Sequence, residues 1–173
     1  MKKKIILLGY MGSGKTIIGS KLANELQIQY FDLDDFVEKQ ENKSITSIFE
    51  TNGELYFRKV EHLVLKQIVT TKNDFVLSLG GGTPCYANNH LFLQNHDIIS
   101  IYLKTSVGEL KKRLKEEKLA RPLISNVKEE ELEEFIAKHL FDRSFYYHQA
   151  KHIVVTDGKS IQEVVNEIKN LIT

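Results

Sequence analysis

Short apolar runs along this chain alternate with segments in which apolar residues recur every three or four positions. The runs occupy residues 5–8, 28–31, 75–79, 98–103 and 152–156. Apolar runs of this length between polar or glycine-rich stretches are typical of buried strands, and a period near 3.6 is typical of helices that bury one face. Strands that alternate with helices predict a three-layer α/β fold with five strands in a mainly parallel sheet.

Capping residues predict where two of the helices begin. Ser160 and Glu163 form a capping-box pattern ahead of an apolar helical face, because each side chain can accept a hydrogen bond from a backbone N–H of the first turn. Asn126 and Glu129 have the same spacing and predict a helix that runs to about Ala150. We expect the glutamates near its start to form an exposed face with no functional role.

Length and composition favour a single domain covering residues 1–173. Apolar residues make up 42% of the chain, charged residues make up 27%, and the formal net charge is +1. This balance argues against a general role in binding nucleic acid or a membrane surface, and no apolar stretch approaches the roughly 20 residues of a membrane span. Cys85 is the only cysteine, which excludes an intrachain disulfide. We expect a cytoplasmic protein.

The first predicted strand leads directly into a phosphate-loop pattern. Gly9, Gly14, Lys15 and Thr16 have its spacing, and a helical pattern follows. Glycines allow backbone N–H groups to point at phosphate oxygens, and the start of the helix adds its positive end. The Lys15 ammonium can bind the β- and γ-phosphates, and the Thr16 hydroxyl can ligate Mg²⁺. We predict that the chain binds a nucleoside triphosphate.

Two aspartates, Asp32 and Asp34, follow the second predicted strand. Ligands of open α/β sheets bind beyond the carboxyl ends of the strands. One carboxylate could therefore reach the metal, directly or through water, and the other could reach a second substrate. Either one could instead cap the helix that begins at about Asp35. On spacing alone both interpretations are open.

Arg58 and the glycines after the third strand each allow a binding role and a structural role. Glu54 and Glu61 stand four residues before and three residues after Arg58, which favours a surface arginine in intrahelical ion pairs. The glycines are Gly80, Gly81 and Gly82. They favour a ligand pressed against bare backbone, and the alternative is a flexible turn that would cost entropy on folding.

Two more arginines lie in segments that could face the same site. A charged run broken by Pro122 predicts a mobile lid at about residues 112–127. Arg121 on this lid could cover the transferring phosphates, although a solvated loop explains the run equally well. Arg143 falls late in the next predicted helix, where it could face the cleft or extend along the surface.

Taken together, the chain resembles the shikimate kinases, which are small phosphate-loop kinases of the nucleoside monophosphate kinase-like group. The resemblance covers nearly the whole chain and rests on the order and spacing of its motifs: Gly9–Thr16, Asp32-x-Asp34, Gly53-Glu54-x-x-Phe57-Arg58-x-x-Glu61, Gly80-Gly81-Gly82, Arg121-Pro122-Leu123 and Arg143-x-x-x-Tyr147. It implies strand order 2-3-1-4-5, a monomer, and Mg²⁺-dependent transfer of the ATP γ-phosphoryl group to the 3-hydroxyl of shikimate, in aromatic amino-acid biosynthesis.

On the nucleotide side, the resemblance implies that Thr16 ligates Mg²⁺ and that Asp32 supports the ion through water. The other residues implied to bind ATP are Gly12, Ser13, Gly14, Lys15, Ile17, Arg113, Arg121 and Lys159. Arg113 would stack on the adenine, Arg121 would reach the phosphates from the lid, and the loop that ends at Lys159 would border the base.

On the acceptor side, the resemblance implies that Asp34 holds the shikimate hydroxyls, including the one that is phosphorylated. Arg58 and Arg143 would bind the carboxylate through charge-assisted hydrogen bonds. The other residues implied to form this pocket are Gly80, Gly81, Gly82, Phe49 and Phe57. Lys15, Asp34 and Arg121 would carry the catalytic roles, with Asp34 orienting the acceptor first and accepting its proton second.

One residue of the phosphate loop departs from the pattern of the family. Ile17 stands where the family usually has a hydroxyl residue, but the position contributes mainly a backbone N–H, so we expect nucleotide binding to survive.

The nearest rival function is that of a kinase for gluconate or a nucleoside monophosphate. A switch of the GTPase kind would be expected to carry Asn-Lys-x-Asp, which the sequence lacks. A silent phosphate-loop protein would have no need for every polar group of the pattern.

Overall fold

Five parallel strands form the centre of the molecule in the computed structural model, which describes residues 3–71, 73–117 and 122–173. The strands are β1 (Lys4–Leu8), β2 (Gln29–Asp32), β3 (Phe75–Ser78), β4 (Ile98–Lys104) and β5 (His152–Val155). Their order in the sheet is β2-β3-β1-β4-β5, and every neighbouring pair is parallel. The predicted fold class and strand order are therefore confirmed, with each strand boundary within one residue.

Helices connect the strands. They are α1 (Lys15–Leu26), α2 (Leu33–Glu41), α3 (Ile45–Val69), α4 (Val107–Glu117), α5 (Pro122–Ser125), α6 (Leu132–Tyr147) and α7 (Ile161–Leu171). The helix α3 bends at Gly53, whose φ of 82° and ψ of 172° are not helical. Among the described residues, no helix combines the length and the apolar character that a membrane-spanning segment needs.

The alternation of side chains along β1 divides the core into two layers, as in other three-layer folds. Ile5 and Leu7 face a layer that includes Ile18 and Leu22 of α1 and the buried residues of α7. Ile6 and Leu8 face the opposite layer, to which α3, α4 and α6 contribute. Because both faces of the sheet are covered by helices, its strands are almost continuously apolar.

The two predicted helix starts have different outcomes. Ser160 and Glu163 form the predicted capping box at the start of α7. The prediction that Asn126 begins a helix is wrong, because α6 begins at Leu132 after a short 3₁₀ turn over Glu129–Glu131. The backbone N–H of Val127 donates to the carbonyl of Ile124 at 3.1 Å, so this stretch closes α5 rather than opening α6.

The predicted lid at residues 112–127 needs a correction at both ends. Residues 112–117 continue α4, in which Leu114 is fully buried, and Ile124 of α5 is also fully buried. The physical reason is that Leu110 and Leu114, four residues apart, carry one apolar helical face into the charged run. Residues 118–121, including Arg121, lie outside the described part of the chain.

Candidate active site

The loop after β1 curls around the N-terminus of α1. Gly14, which precedes α1, has φ 93°, and no side chain caps the helix. This left-handed backbone favours glycine. Gly12 has φ 82°, and a methyl group there would lie 3.0 Å from Leu114 of α4. The loop therefore has the predicted strand–loop–helix arrangement, and it directs the positive end of α1 toward the carboxyl edge of the sheet.

A cavity of about 990 Å³ opens along this loop and reaches the ends of β2 and β3. Most of the residues predicted to bind ATP and metal line it: Gly12, Gly14, Lys15, Thr16, Ile17 and Asp32. The Lys15 ammonium donates hydrogen bonds to the carbonyls of Gly9 at 2.8 Å and Tyr10 at 3.0 Å. Ser13 is fully buried, and its hydroxyl has no hydrogen-bond partner among the described residues.

Asp32 has the predicted capping role, and its other carboxylate oxygen faces the phosphate loop. Its Oδ1 accepts a hydrogen bond from the backbone N–H of Asp34 at 3.0 Å, as the N-cap of α2. Its Oδ2 lies 3.4 Å from the Thr16 hydroxyl. Burial is the main cause that raises the pKa of Asp32, and the charge of Asp35 adds to it. One carboxylate therefore caps a helix and also faces the threonine of the phosphate loop.

Asp34 stands where the larger cavity meets a second one. Burial raises the pKa of its carboxyl to about 6, the charges of Asp32 and Glu61 add to this effect, and the Lys15 ammonium opposes it. A carboxyl with a pKa near neutrality can exchange a proton with a bound hydroxyl more readily than an ordinary aspartate can.

The second cavity has a volume of about 600 Å³ and shares Met11, Asp34, Gly80 and Gly81 with the first. The remaining residues predicted for the acceptor also line it: Phe49, Phe57, Arg58, Gly82 and Arg143. The two phenylalanine rings pack with their centroids 4.7 Å apart. The cavity therefore combines an apolar wall with two cations and two carboxylates, those of Asp34 and Glu61.

Arg58 is a largely covered cation that lines the smaller cavity, so the prediction of a surface arginine is wrong, although ion pairs with both Glu54 and Glu61 are present. Its side chain is 16% exposed, and its Nη1 donates to Glu61 Oε1 at 2.8 Å. Glu61 is 1% exposed, and its other oxygen accepts from the Thr83 hydroxyl at 2.8 Å. The guanidinium lies 4.0 Å from the centroid of the Tyr86 ring. The predicted ion pair with Glu61 is present, but Phe57 packs into the core and turns this face of α3 inward.

The glycines after β3 make room for two arginines. None of the three has a left-handed φ, so close approach is what requires glycine there. A methyl group on Gly81 would lie 3.1 Å from Arg143 Nη1, and one on Gly82 would lie 2.7 Å from Arg58 Nη2. The groups that approach this bare backbone are the chain's own cations, and a ligand contact with the glycines stays a prediction.

The helix α6 directs Arg143 into the smaller cavity, which resolves the two predicted orientations in favour of the cleft. The guanidinium lies 5.4 Å from the centroid of the Tyr10 ring, within the range of a cation–π contact. Tyr147, one turn later on the same helix, is fully buried and donates from its hydroxyl to the Gly81 carbonyl at 2.6 Å.

Two described residues predicted to bind nucleotide, Arg113 and Lys159, do not line the larger cavity. Arg113 donates from Nε to Glu109 at 2.9 Å and from Nη1 to the Gly12 carbonyl at 3.1 Å, so it lies beside the phosphate loop. The Lys159 ammonium pairs with Glu167 of α7 at 2.5 Å. Arg121 lies outside the described residues.

Sequence reasoning missed several residues of the site. Ser20, Lys21 and Asn24 line the larger cavity from the second and third turns of α1. Helical spacing places them on the same face as Ile17 but does not mark them as ligands. Tyr86 stacks on Arg58 across a separation of 28 residues, and no local pattern indicates this contact.

These features define a class of protein. A phosphate loop, a carboxylate at the mouth of a second cavity and two cations within that cavity are the parts of a phosphate-loop kinase for a small anionic acceptor. The model of the shikimate kinase family matches residues 11–173. The chain belongs to the shikimate kinase family.

Individual relatives agree with the family match. The chain is 52% identical to the shikimate kinase of Flavobacterium johnsoniae over 170 residues, which cover 98% of this chain and 99% of that protein. The crystal structure of shikimate kinase from Bacteroides thetaiotaomicron superposes with a TM-score of 0.89 at 32% identity, covering 98% of both chains. Shikimate kinase from Acinetobacter baumannii, in complex with shikimate, superposes with a TM-score of 0.86 at 32% identity, covering 99% of this chain and 93% of the other.

Proposed function

We propose that the chain catalyses Mg²⁺-dependent transfer of the ATP γ-phosphoryl group to the 3-hydroxyl of shikimate, in aromatic amino-acid biosynthesis. One observation carries this proposal: a cavity with two cations meets the phosphate-loop cavity at Asp34. Membership of a family whose Acinetobacter baumannii member has been crystallised with shikimate also supports it.

Arg58 and Arg143 bind the shikimate carboxylate in this proposal. Both line the smaller cavity. The Nε of Arg58 is buried and has no hydrogen-bond partner in the described part of the chain, although the Glu54 carboxylate lies 3.7 Å from it. A buried donor without a partner is costly, so a carboxylate that accepts from it gains more than one that binds an exposed arginine. Phe49 and Phe57 provide an apolar surface on which the carbon ring of shikimate can pack.

Asp34 positions the acceptor hydroxyl for attack. The hydroxyl oxygen forms a bond to the γ-phosphorus, the bond from that phosphorus to the β,γ-bridging oxygen breaks, and ADP leaves. The proton of the hydroxyl passes to the Asp34 carboxylate or to the transferred phosphate. Because the transition state is loose, positioning and the charge of Lys15 contribute more to the rate than proton removal does.

The residues around Thr16 fit a magnesium ion that is bound together with the nucleotide. The Thr16 hydroxyl would ligate the ion and Asp32 Oδ2 would support it through water, and both are hard oxygens on one side of the larger cavity. Across the described residues, no group of three or more histidine, cysteine, aspartate or glutamate side chains could hold a metal, so phosphate oxygens and water would complete its shell. When bound, Mg²⁺ neutralises charge that develops on the phosphate oxygens.

Three contacts with ATP, and the state of assembly, are proposed because of the family resemblance. Arg113 stacks on the adenine, the backbone of the loop that ends at Lys159 borders the base, and Arg121 reaches the phosphates from a lid between α4 and α6. We also propose that the enzyme is a single domain that acts as a cytoplasmic monomer. Light scattering of the purified protein with both substrates tests the assembly.

An ADP-release assay tests the proposed reaction. Shikimate, gluconate and AMP are offered separately with Mg²⁺ and ATP, beside a control without acceptor. We expect ADP release only with shikimate. Release with gluconate or AMP instead would mean that the phosphate loop is active but the acceptor pocket is assigned wrongly. No release with any acceptor, despite ATP binding, would favour a silent phosphate-loop protein.

Replacement of Gly82 by alanine is expected to raise the KM for shikimate at least tenfold and to leave the KM for ATP within about threefold. The new methyl group would lie 2.7 Å from Arg58 Nη2. The fold tolerates it because the end of a flexible side chain can move, but the guanidinium then leaves its place over Glu61. Steady-state kinetics measure both constants.

Gly108→Ala is the matched control for this variant. Gly108 lies on α4, and a methyl group there meets nothing within 4 Å, so its kinetic constants should equal those of the unaltered chain. An unchanged KM for shikimate in Gly82→Ala would contradict the placement of Arg58 in the acceptor pocket.

Thr16→Ala is expected to raise the Mg²⁺ concentration for half-maximal rate at least tenfold, because one of the two protein oxygens proposed for the ion is removed. At saturating Mg²⁺ the KM for shikimate should change little, since Thr16 does not line the smaller cavity. Rates over a Mg²⁺ titration at fixed ATP measure this effect. A titration curve that coincides with that of the unaltered chain would exclude Thr16 as a ligand.

A further inference from the structure

Tyr10 belongs to the phosphate loop, but its side chain extends toward Arg143, which lines the smaller cavity. Its carbonyl accepts a hydrogen bond from the Lys15 ammonium at 3.0 Å, and its ring lies under the Arg143 guanidinium at 5.4 Å. The side chain is 1% exposed. A single residue thus contacts one cation proposed for ATP and one cation proposed for the shikimate carboxylate. The phosphate-loop pattern itself does not require tyrosine at this position.

The hydroxyl of Tyr10 lies 2.9 Å from Nδ1 of His139 on α6. The imidazole packs against Phe135, with ring centroids 4.5 Å apart. Burial and the charge of Arg143 lower the pKa of His139, and burial raises the pKa of Tyr10 to about 12. Both groups are therefore neutral at pH 7, and one hydrogen bond joins them. Loss of His139 would leave the hydroxyl of Tyr10, a residue that is 1% exposed, without this partner.

A second contact joins α6 to the same loop. Tyr147 donates to the Gly81 carbonyl at 2.6 Å. A methyl group on Gly81 would lie 3.7 Å from both the Gly9 oxygen and the Met11 nitrogen, so the Gly81 backbone packs on the phosphate loop. The helix that carries Arg143 is thus connected to the nucleotide loop at two places, directly through Tyr10 and indirectly through Gly81.

We propose that Tyr10 is a positioning residue that couples the two cavities, so that occupancy of either one raises the affinity of the other. A phosphate that binds Lys15 competes with the Tyr10 carbonyl for the ammonium, and the hydrogen bond to His139 holds Tyr10 in place. A carboxylate that binds Arg143 acts on the cation above the same ring. The first ligand therefore fixes the loop and α6 in the arrangement that the second one needs.

Calorimetric titrations test this coupling, which rests on the proposed function because shikimate is the probe. The Kd of shikimate is measured with and without Mg²⁺ and ADP, and the Kd of ADP with and without shikimate. The ratio of each pair is the coupling factor, which must be the same in both directions. We expect a factor well above one for the unaltered chain.

Tyr10→Phe is expected to lower this factor about fivefold, as loss of one hydrogen bond predicts, while the ring under Arg143 remains. His139→Phe breaks the same hydrogen bond from the other side and should have the same effect, which keeps the test valid if one variant folds poorly. The double variant should show no further loss. Tyr56→Phe is the matched control. Among the described residues the Tyr56 hydroxyl donates to Glu41 at 2.7 Å, and Tyr56 lines neither cavity.

A merely structural role for Tyr10 would weaken both affinities equally and leave the coupling factor unchanged. That result, in variants that still phosphorylate shikimate, would overturn the inference and leave the proposed function intact. Failure of the unaltered chain to phosphorylate shikimate would overturn both.

Discussion

Asp34→Asn is expected to lower the kcat for shikimate phosphorylation by about three orders of magnitude, with the Kd of ADP changed less than about threefold. Asp34 lines both cavities. Asparagine keeps the size of the side chain but presents one acceptor oxygen instead of two, so the acceptor hydroxyl loses its position. It also cannot accept the proton. Single-turnover kinetics measure the loss, and calorimetry measures nucleotide binding. A variant with more than a tenth of the original kcat would remove Asp34 from the mechanism.

The same substitution is expected to stabilise the folded chain at neutral pH. Burial, with the charges of Asp32 and Glu61, raises the pKa of Asp34 from 3.8 to about 6. A raised pKa means that the contribution of Asp34 to stability is fully present below about pH 4 and is lost as the pH rises through about 6. At pH 8 the ionised carboxylate therefore costs up to about 3 kcal/mol, and asparagine removes this cost.

Urea unfolding of both proteins at pH 4 and pH 8 measures this effect. The free energies of unfolding should agree within about 1 kcal/mol at pH 4 and differ in favour of the variant at pH 8. A variant that is less stable than the original chain at pH 8 would contradict the electrostatic account of Asp34. Gain in stability together with loss of turnover would identify a carboxylate that is kept for function at the expense of the fold.

Arg58→Ala is expected to raise the KM for shikimate at least about 100-fold and to lower the free energy of unfolding by about 3 kcal/mol. The first effect follows from loss of a charge-assisted contact to the carboxylate. The second follows because Glu61, 1% exposed, loses its cation, and one member of a buried ion pair is costly without the other. Steady-state kinetics and urea unfolding measure the two effects separately.

Arg58→Lys separates binding from stability. Lysine keeps a positive charge near Glu61 but lacks the planar fork that matches a carboxylate. We therefore expect most of the stability to return while the KM for shikimate stays high. Full recovery of both would mean that the charge of Arg58 matters and its geometry does not.

Much of the fold and the nucleotide loop could be predicted from the sequence, because their determinants are local. The strand runs and the capping box at Ser160 involve residues within a few positions of each other, and the structure has both. Asn126 shows the limit of local patterns. It has the spacing of a capping box, but the stretch instead closes α5 by a backbone hydrogen bond between Val127 and Ile124.

The acceptor cavity was harder to predict, because its contacts join residues far apart in the chain. The spacing of Arg58 and Glu61 correctly indicates an ion pair but not its burial, which depends on Tyr86 and Gly82 from beyond β3. The contact between Tyr10 and His139 spans 129 positions. Neither residue has a local pattern that points to the other, so only the fold reveals the pair.

A crystal structure of the chain with shikimate, Mg²⁺ and ADP would test the central claim most directly. The account predicts that the shikimate carboxylate lies between Arg58 and Arg143, that its 3-hydroxyl contacts Asp34, and that the phosphates of ADP lie along residues 9–16. Shikimate bound with its carboxylate away from both arginines, or with its 3-hydroxyl directed away from the phosphate loop, would contradict it.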